Sequence, residues 1–295
     1  MKNVFRKIGI GLGILGGLLI LGAMGMYLKS SHELNRTYEL APESIVVPTD
    51  EQSIANGKVW VTAICAGCHG ADLAGTTMVD DPALGRVDSA NLTAGVGGVG
   101  STYTDADWVR AIRHGVGPNG KPLMIMPSSA FWNFSDQDLG EVMAYIKTIP
   151  AVDHETKIEL SPLGTTILPT MPFILHVKLI DHNNRPAEYP VGVTSEYGNY
   201  LINVSDCRGC HGDNLSGKSA ANGRLATPNL TPGGELQFWS VEEFIQTIRT
   251  GIAPSGHALN PEMPWKEFSA YSDEELTAIY LYLQSLPKLP ANSRQ

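Results

Sequence analysis

The sequence predicts a mostly α chain, two copies of one helical unit in tandem behind a single N-terminal apolar helix. Three observations carry this. A run of 21 residues without a charge, Ile8 to Leu28, opens the chain. A set of short motifs then recurs in fixed order, 136 to 142 residues apart. Each copy also ends in a helix-start signature followed by an apolar stripe. With 295 residues, 43% hydrophobic and only 17% charged, the chain can bury a core and is not disordered, while 31 Gly and 19 Pro imply many turns between short elements.

The apolar run comes first. As a helix, 21 residues span ~31 Å at 1.5 Å each, which matches the hydrocarbon core of a bilayer. Lys2, Arg6 and Lys7 precede it, so the positive-inside rule keeps the N-terminus in the cytoplasm and exports everything after Lys29. In a bacterium this places the rest of the chain on the periplasmic side of the inner (cytoplasmic) membrane, held by a single-pass anchor. A cleaved secretory signal is the competing reading, although its apolar core is usually ~7–15 residues and Ala23-Met24-Gly25 matches a cleavage site weakly. Gly9, Gly13 and Gly17 recur on one helix face, a spacing that suits close approach of another membrane helix or belongs to a merely glycine-rich anchor. The formal charge is −9, and beyond residue 29 there are 17 basic against 30 acidic residues, a net of −13. Nucleic acid is excluded as a partner for such a surface.

The repeat is read from its landmarks. Cys65-Ala66-Gly67-Cys68-His69-Gly70 returns as Cys207-Arg208-Gly209-Cys210-His211-Gly212, and Asn91-Leu92-Thr93 as Asn229-Leu230-Thr231. Ile112-Arg113-His114-Gly115 matches Ile248-Arg249-Thr250-Gly251, Met126-Pro127 matches Met263-Pro264, and Ser135-Asp136 matches Ser272-Asp273. Helices are expected at 51–64 and 194–206 before each cysteine pair, with Ile54, Val59, Val61 and Ile64 or Tyr197, Tyr200, Leu201 and Val204 at helical spacing. A middle helix follows at about 105–114 and 240–250. The last helix begins in both copies with the form of a capping box, Ser135 to Asp138 and Ser272 to Glu275. Leu139, Val142, Met143 and Ile146 form one apolar stripe, Leu276, Ile279, Tyr280 and Leu283 the other, and each helix stops before Pro150 or Pro287.

Between these elements the Gly- and Pro-rich stretches 70–104 and 212–238 are too long for structureless connectors unless they wrap something bulky. The chain therefore divides into an N-terminal segment (1–29), a linker (30–50), a first unit (51–150), a strap (151–193), a second unit (194–290) and a tail (291–295). The strap holds Pro162, Pro169, Pro172, Pro186 and Pro190 around the apolar stretch Met171 to Ile180. Packing along one or both units is expected of it, with a short contact to the membrane interface as the alternative.

A close cysteine pair serves a redox disulfide, zinc or covalent haem. The histidine directly after both pairs discriminates. Two thiols one helical turn apart reach the two vinyl groups of one porphyrin edge, and the next residue points its imidazole at the iron. A thioredoxin-like pair needs a strand-led α/β unit, and zinc needs further soft ligands where no other Cys exists. The spacing thus assigns Cys65, Cys68, Cys207 and Cys210 to covalent attachment of two haem c groups, with His69 and His211 as iron ligands. Met126 and Met263, each followed by Pro and 57 and 52 residues after their histidines, are the expected sixth ligands. Met124, two residues away, lacks the Pro. His114 and His257 are rival ligands, each unmatched in the other repeat by Thr250 and Lys121.

The order of cysteine pair with His, Asn-Leu-Thr, Ile-Arg-x-Gly, Met-Pro and terminal amphipathic helix resembles class I cytochrome c domains, in tandem. It is similar to the dihaem membrane-anchored cytochromes c of bacterial respiratory chains over roughly two thirds of the chain. The resemblance implies two cytochrome c-like helical domains, each wrapped around a covalently bound haem, plus one transmembrane helix. It also implies that Tyr145 and Tyr282 pack on the first helix of their own domain and that Arg113 and Arg249 reach haem propionates. Similar domains serve as electron-accepting subunits of periplasmic dehydrogenases, commonly with three haems, whereas this chain has two such motifs. The expected function is electron transfer between periplasmic or membrane redox partners, with the haem-bearing subunit of a dehydrogenase or oxidase complex as the alternative. A dihaem peroxidase would need a vacant or displaceable distal ligand, and both repeats offer a Met. Nucleotide loops, flavin fingerprints and hydrolytic triads are not evident, so an electron carrier rather than an enzyme is expected, with substrate oxidation on another chain.

Overall fold

In each repeat the first helix crosses the last at a glycine. Helix α2 (Glu51–Trp60) crosses α6 (Asp136–Ile146), and α8 (Ser195–Val204) crosses α12 (Asp273–Ser285). A Cβ at Gly57 would lie 1.9 Å from the Glu141 carbonyl oxygen, and one at Gly198 the same distance from that of Ala278, so no side chain fits at either crossing. The crossings also bring Tyr145 against Gly57 and Tyr282 against Gly198, the packing implied for these aromatics by resemblance. The computed structural model describes residues 2–171, 173–186, 189–220 and 226–292, and only the backbone of residues 2 and 3. Pro172 of the strap, residues 293–295 of the tail and the side chain of Lys2 therefore lie outside the described residues.

The N-terminal helix α1 (Lys2–Asn35) runs six residues beyond the expected end at 29. Its apolar stretch is exposed, and packing begins at Ser30, whose hydroxyl donates to the Thr166 carbonyl at 2.8 Å. In the first repeat α2 widens into a π turn (Val61–Cys65) before α3 (Ala66–His69), which is followed by strands β1 (Thr77–Asp81) and β2 (Gly85–Asp88). Helices α4 (Asp105–His114) and α5 (Ser128–Phe131) precede α6. The second repeat has α9 (Cys207–His211), α10 (Val241–Thr250) and α11 (Trp265–Phe268) before α12.

The strap is not external to the first repeat. Its strand β3 (Ile158–Leu160) pairs antiparallel with β2, giving a sheet ordered β1-β2-β3 that periodicity did not foretell. Three residues whose partner lies some seventy positions away leave no local signature. Asn91 Nδ2 donates to the carbonyls of Val152 and His154, and in the second repeat Asn229 Nδ2 donates to that of Leu289. The Asn-Leu-Thr motif is therefore a clamp on the chain that follows the last helix. Helix α7 (Pro162–Ile167), capped by Ser161 with Pro at N1, then packs on α1.

Thr104, Ser240 and Ser272 form complete capping boxes with Asp107, Glu243 and Glu275. The box expected at Ser135 is only half made. Ser135 Oγ accepts from the Asp138 amide, but the Ser135 amide donates to Tyr200 Oη at 3.2 Å, and that phenol donates in turn to the Asp138 carboxylate. A tyrosine of the second repeat thus completes a helix start of the first. The larger core runs through both repeats, joined by Trp60, whose ring meets those of Phe134, Tyr200 and Tyr271 edge-on at 5.4, 6.1 and 5.8 Å. Helix α11 packs on the π turn of the first repeat, and α5 packs on α8 of the second. A smaller core, Val87, Val116, Leu168, Ile174, Leu175 and Val177, lies between the strap and the first repeat.

Candidate functional site

Each repeat encloses a cavity behind its cysteine pair. The first, about 260 Å³, is lined by Cys65, Cys68, His69, Met124 and Met126 among largely apolar neighbours. The second, about 130 Å³, is lined by Cys207, His211, His257 and Met263. Cys210 is exposed one turn after Cys207. The four cysteines are not paired as disulfides. Burial pushes the Cys65 and Cys207 thiols up to about 12, the reverse of the depressed values that thiolate redox chemistry needs.

Backbone geometry aims the two histidines alike. Gly70 (φ +83°) and Gly212 (φ +86°) end the short helices immediately after them, a left-handed turn that favours glycine. His69 Nδ1 lies 2.8 Å from the Ala90 carbonyl oxygen and His211 Nδ1 2.9 Å from that of Pro228. A carbonyl only accepts, so Nδ1 carries the proton and Nε2 keeps its lone pair. Burial lowers the proton affinity of both rings, favouring the neutral form that binds a metal.

The methionines sit in matching turns. Pro127 (φ −80°, ψ 54°) and Pro264 (φ −79°, ψ 51°) are nearly superposable, and the amide two residues after each Met donates to the Met carbonyl at 2.8 Å. The approach differs. Ile125 has φ +67°, a strained value for a β-branched residue, and its amide donates to the Ile174 carbonyl of the strap at 2.8 Å. Glu262 precedes Met263 without that strain. A cysteine pair and a tautomer-locked imidazole at the cavity, with both thiols lining it in the first repeat and Cys207 in the second, a thioether among the lining residues, and apolar walls fit haem c in both repeats.

Both arginines, expected at haem propionates, hold carboxylates of the protein itself. Arg113 is fully buried, with Nη1 on Glu43 at 2.8 Å and Nη2 on Asp136 at 2.5 Å and on the Phe134 carbonyl at 3.1 Å. Arg249 binds Asp273 at 2.6 Å and the Ser269 carbonyl. Neither lines its cavity. Each bolts the middle helix to the start of the last one, a shared role for the arginine of the matching Ile-Arg-x-Gly pattern. His114 lies outside the cavity in a buried network, whereas His257 lines the second cavity and binds Ser255 Oγ through Nδ1 at 2.6 Å. Sequence reasoning missed Glu43, Trp60 and His182, whose partners lie far away in the chain.

Comparison with known proteins agrees with this geometry. Residues 54–150 match the family described as cytochrome c, and residues 197–283 match that described as cytochrome c oxidase, cbb3-type, subunit III. The chain is 29% identical to the fructose dehydrogenase cytochrome subunit of Gluconobacter japonicus over 80% of its own length and 53% of that protein's. It is 32% identical to the gluconate 2-dehydrogenase cytochrome c subunit of Pantoea cypripedii, over 29% of this chain and 21% of that one. The same identity holds with the alcohol dehydrogenase (quinone) cytochrome c subunit of Gluconobacter oxydans, over 29% and 20%. The chain thus spans about half the length of the first of these relatives and a fifth of the others.

Proposed function

From a chain that belongs to the cytochrome c family, with two cytochrome c domains in tandem and two haem c groups, we propose that the protein is the haem-bearing, electron-accepting subunit of a periplasmic dehydrogenase complex, anchored in the bacterial cytoplasmic membrane by α1. The observation that carries this reading is the likeness, over 80% of the chain, to a relative named as a dehydrogenase cytochrome subunit. It favours a subunit over the membrane-tethered carrier working between separate redox partners that the sequence suggests first.

Haem c supplies one-electron Fe(III)/Fe(II) cycling when bound. The residues of this chain hold and tune it. Cys65 and Cys68, and Cys207 and Cys210, would form the thioethers that fix each porphyrin. His69 and His211, each held in the Nδ1–H tautomer by a backbone carbonyl, would offer Nε2 to the iron. Met126 and Met263 would supply thioether sulfur to the iron, and the apolar walls would keep water out, which favours the reduced state. Substrate oxidation belongs to a partner polypeptide.

Extraction in mild detergent, followed by native electrophoresis with haem staining and a dehydrogenase overlay, tests the reading. The haem band is expected to co-migrate with a larger dehydrogenase polypeptide. A haem band that runs alone at every detergent concentration tried would return the protein to the class of free carriers.

A further inference from the structure

Where α1 leaves its apolar run, the strap is fastened to it. Ser30 Oγ donates to the Thr166 carbonyl at 2.8 Å, and Lys178 Nζ pairs with Glu33 at 2.9 Å. Ser30 is only two residues and Glu33 five residues beyond Leu28, the last residue of the uncharged run. At 1.5 Å per residue these ties lie ~3 and ~7.5 Å past the hydrocarbon edge. The headgroup layer on each side of a bilayer is ~5–8 Å deep. The strap from α7 to Leu179 is therefore held at the depth of the headgroups.

Its two faces differ. The inner one, Leu168, Ile174, Leu175 and Val177, is buried against the first repeat and against Leu34, Tyr38 and Leu40 from the end of α1 and the linker. Away from it the same segment exposes three large apolar side chains, Leu163 at 47%, Phe173 at 39% and Leu179 at 59%. Single exposed apolar residues are ordinary on a soluble surface. Three on one segment, tied to the point where a membrane-length helix emerges, match an element that lies in the interface plane with its apolar side chains toward the acyl chains.

We propose that Leu163, Phe173 and Leu179 form a membrane-seating surface, through which the strap rests in the headgroup–acyl boundary and holds the first haem domain at a fixed height and orientation on the bilayer. The proposal rests on the reading of α1 as a membrane-spanning anchor. The occupant is lipid: Gly164 of α7 is packed against the Leu84 carbonyl, where a Cβ would meet the oxygen at 1.9 Å, so α7 is bound to its own domain on one side, while the ties at Ser30 and Glu33 hold the strap at the level where α1 leaves its apolar run.

Single cysteines introduced into the full-length haem-loaded protein provide the test, because the four native cysteines are consumed in thioethers. L18C, L163C, F173C, L179C, V46C and F238C are spin-labelled and reconstituted in phosphatidylcholine vesicles. The collision rate of each label with oxygen, which concentrates in lipid, is compared with that of a water-soluble nickel chelate. Labels at 163, 173 and 179 are expected to favour oxygen as the label at 18 does, and those at 46 and 238, also exposed apolar positions, to favour nickel. Labels at 163, 173 and 179 as open to nickel as the one at 238, with the label at 18 still in lipid, overturn the seating surface and leave the anchor standing. A label at 18 that also favours nickel overturns both. Protection of 163, 173 and 179 only after a dehydrogenase partner is added reassigns the face to a protein contact and overturns the proposal.

Discussion

The imidazoles of His114 and His182 stack with ring centroids 5.1 Å apart and their Nδ1 atoms 2.8 Å from each other. His114 Nε2 is 2.8 Å from the Glu43 carboxylate, and His182 Nε2 is 3.1 Å from the Val177 carbonyl. Both outer partners are acceptors. Glu43 also takes Arg113 and Arg185. One carboxylate of the linker thereby joins helix α4 to the strap.

Glu43 should govern acid stability. The hydrogen bond from His114 first, then those with Arg113, outweigh burial and hold its carboxyl at about 2. The folded-state value lies below the unfolded one, so the stabilisation is fully present above the ordinary glutamate range near ~4.3 and is lost as pH falls toward the folded value. Glu43→Gln is expected to cost about 2–3 kcal/mol at neutral pH, measured by denaturant unfolding of the haem-loaded protein. The gap to the wild type should narrow steadily from pH 5 to pH 3. A gap independent of pH would show that Glu43 acts through packing alone.

Trp60 should make the two repeats one cooperative unit. Its edge-on contacts reach Phe134, which lines the first cavity, and Tyr271, which lines the second. Trp60→Ala is expected to cost about 3–5 kcal/mol and to split a single calorimetric transition into two, whereas Trp60→Phe keeps it whole. A single transition in Trp60→Ala would mean that the Tyr200–Asp138 link suffices.

The two methionines proposed as iron ligands should be separable. Met126→Ala and Met263→Ala are each expected to remove about half of the long-wavelength absorption that marks ferric iron bound to thioether sulfur, and each to lower the potential of one haem only. Retention of the full band in Met126→Ala would transfer the ligand role to Met124. Retention in Met263→Ala would point to a cavity residue other than Met263.

Ile125 should matter more than its counterpart. A β-branched residue at φ +67° stores roughly 1–3 kcal/mol of backbone strain, here held by the Ile174 carbonyl. Ile125→Gly frees the turn before Met126, so added imidazole is expected to displace the first methionine at several-fold lower concentration than in the wild type. Glu262→Gly should leave the second unchanged. Equal sensitivity of the two sites in spectroscopic titrations would remove any role for the strap in positioning Met126.

Sequence alone determined what depends on neighbours along the chain. The Cys-x-x-Cys-His pairs specify their cofactor because attachment needs thiols one turn apart and an imidazole next to them, all within six residues. Ser272 and Glu275 announced a helix start because a capping box is local by construction. The partners of Arg113 and Arg249 were not legible, because the pattern Ile-Arg-x-Gly shows that an arginine recurs but not which carboxylate it meets, and Asp136 and Asp273 lie 23 and 24 residues further on. At Ser135 the same local signature failed because Tyr200, 65 residues away, took the capping amide. Strand β3, the His114–His182 pair and the Trp60 cluster were likewise decided only by the tertiary fold. Each joins surfaces that become neighbours once both repeats and the strap have packed, and burial then selects among partners that no spacing in the sequence records.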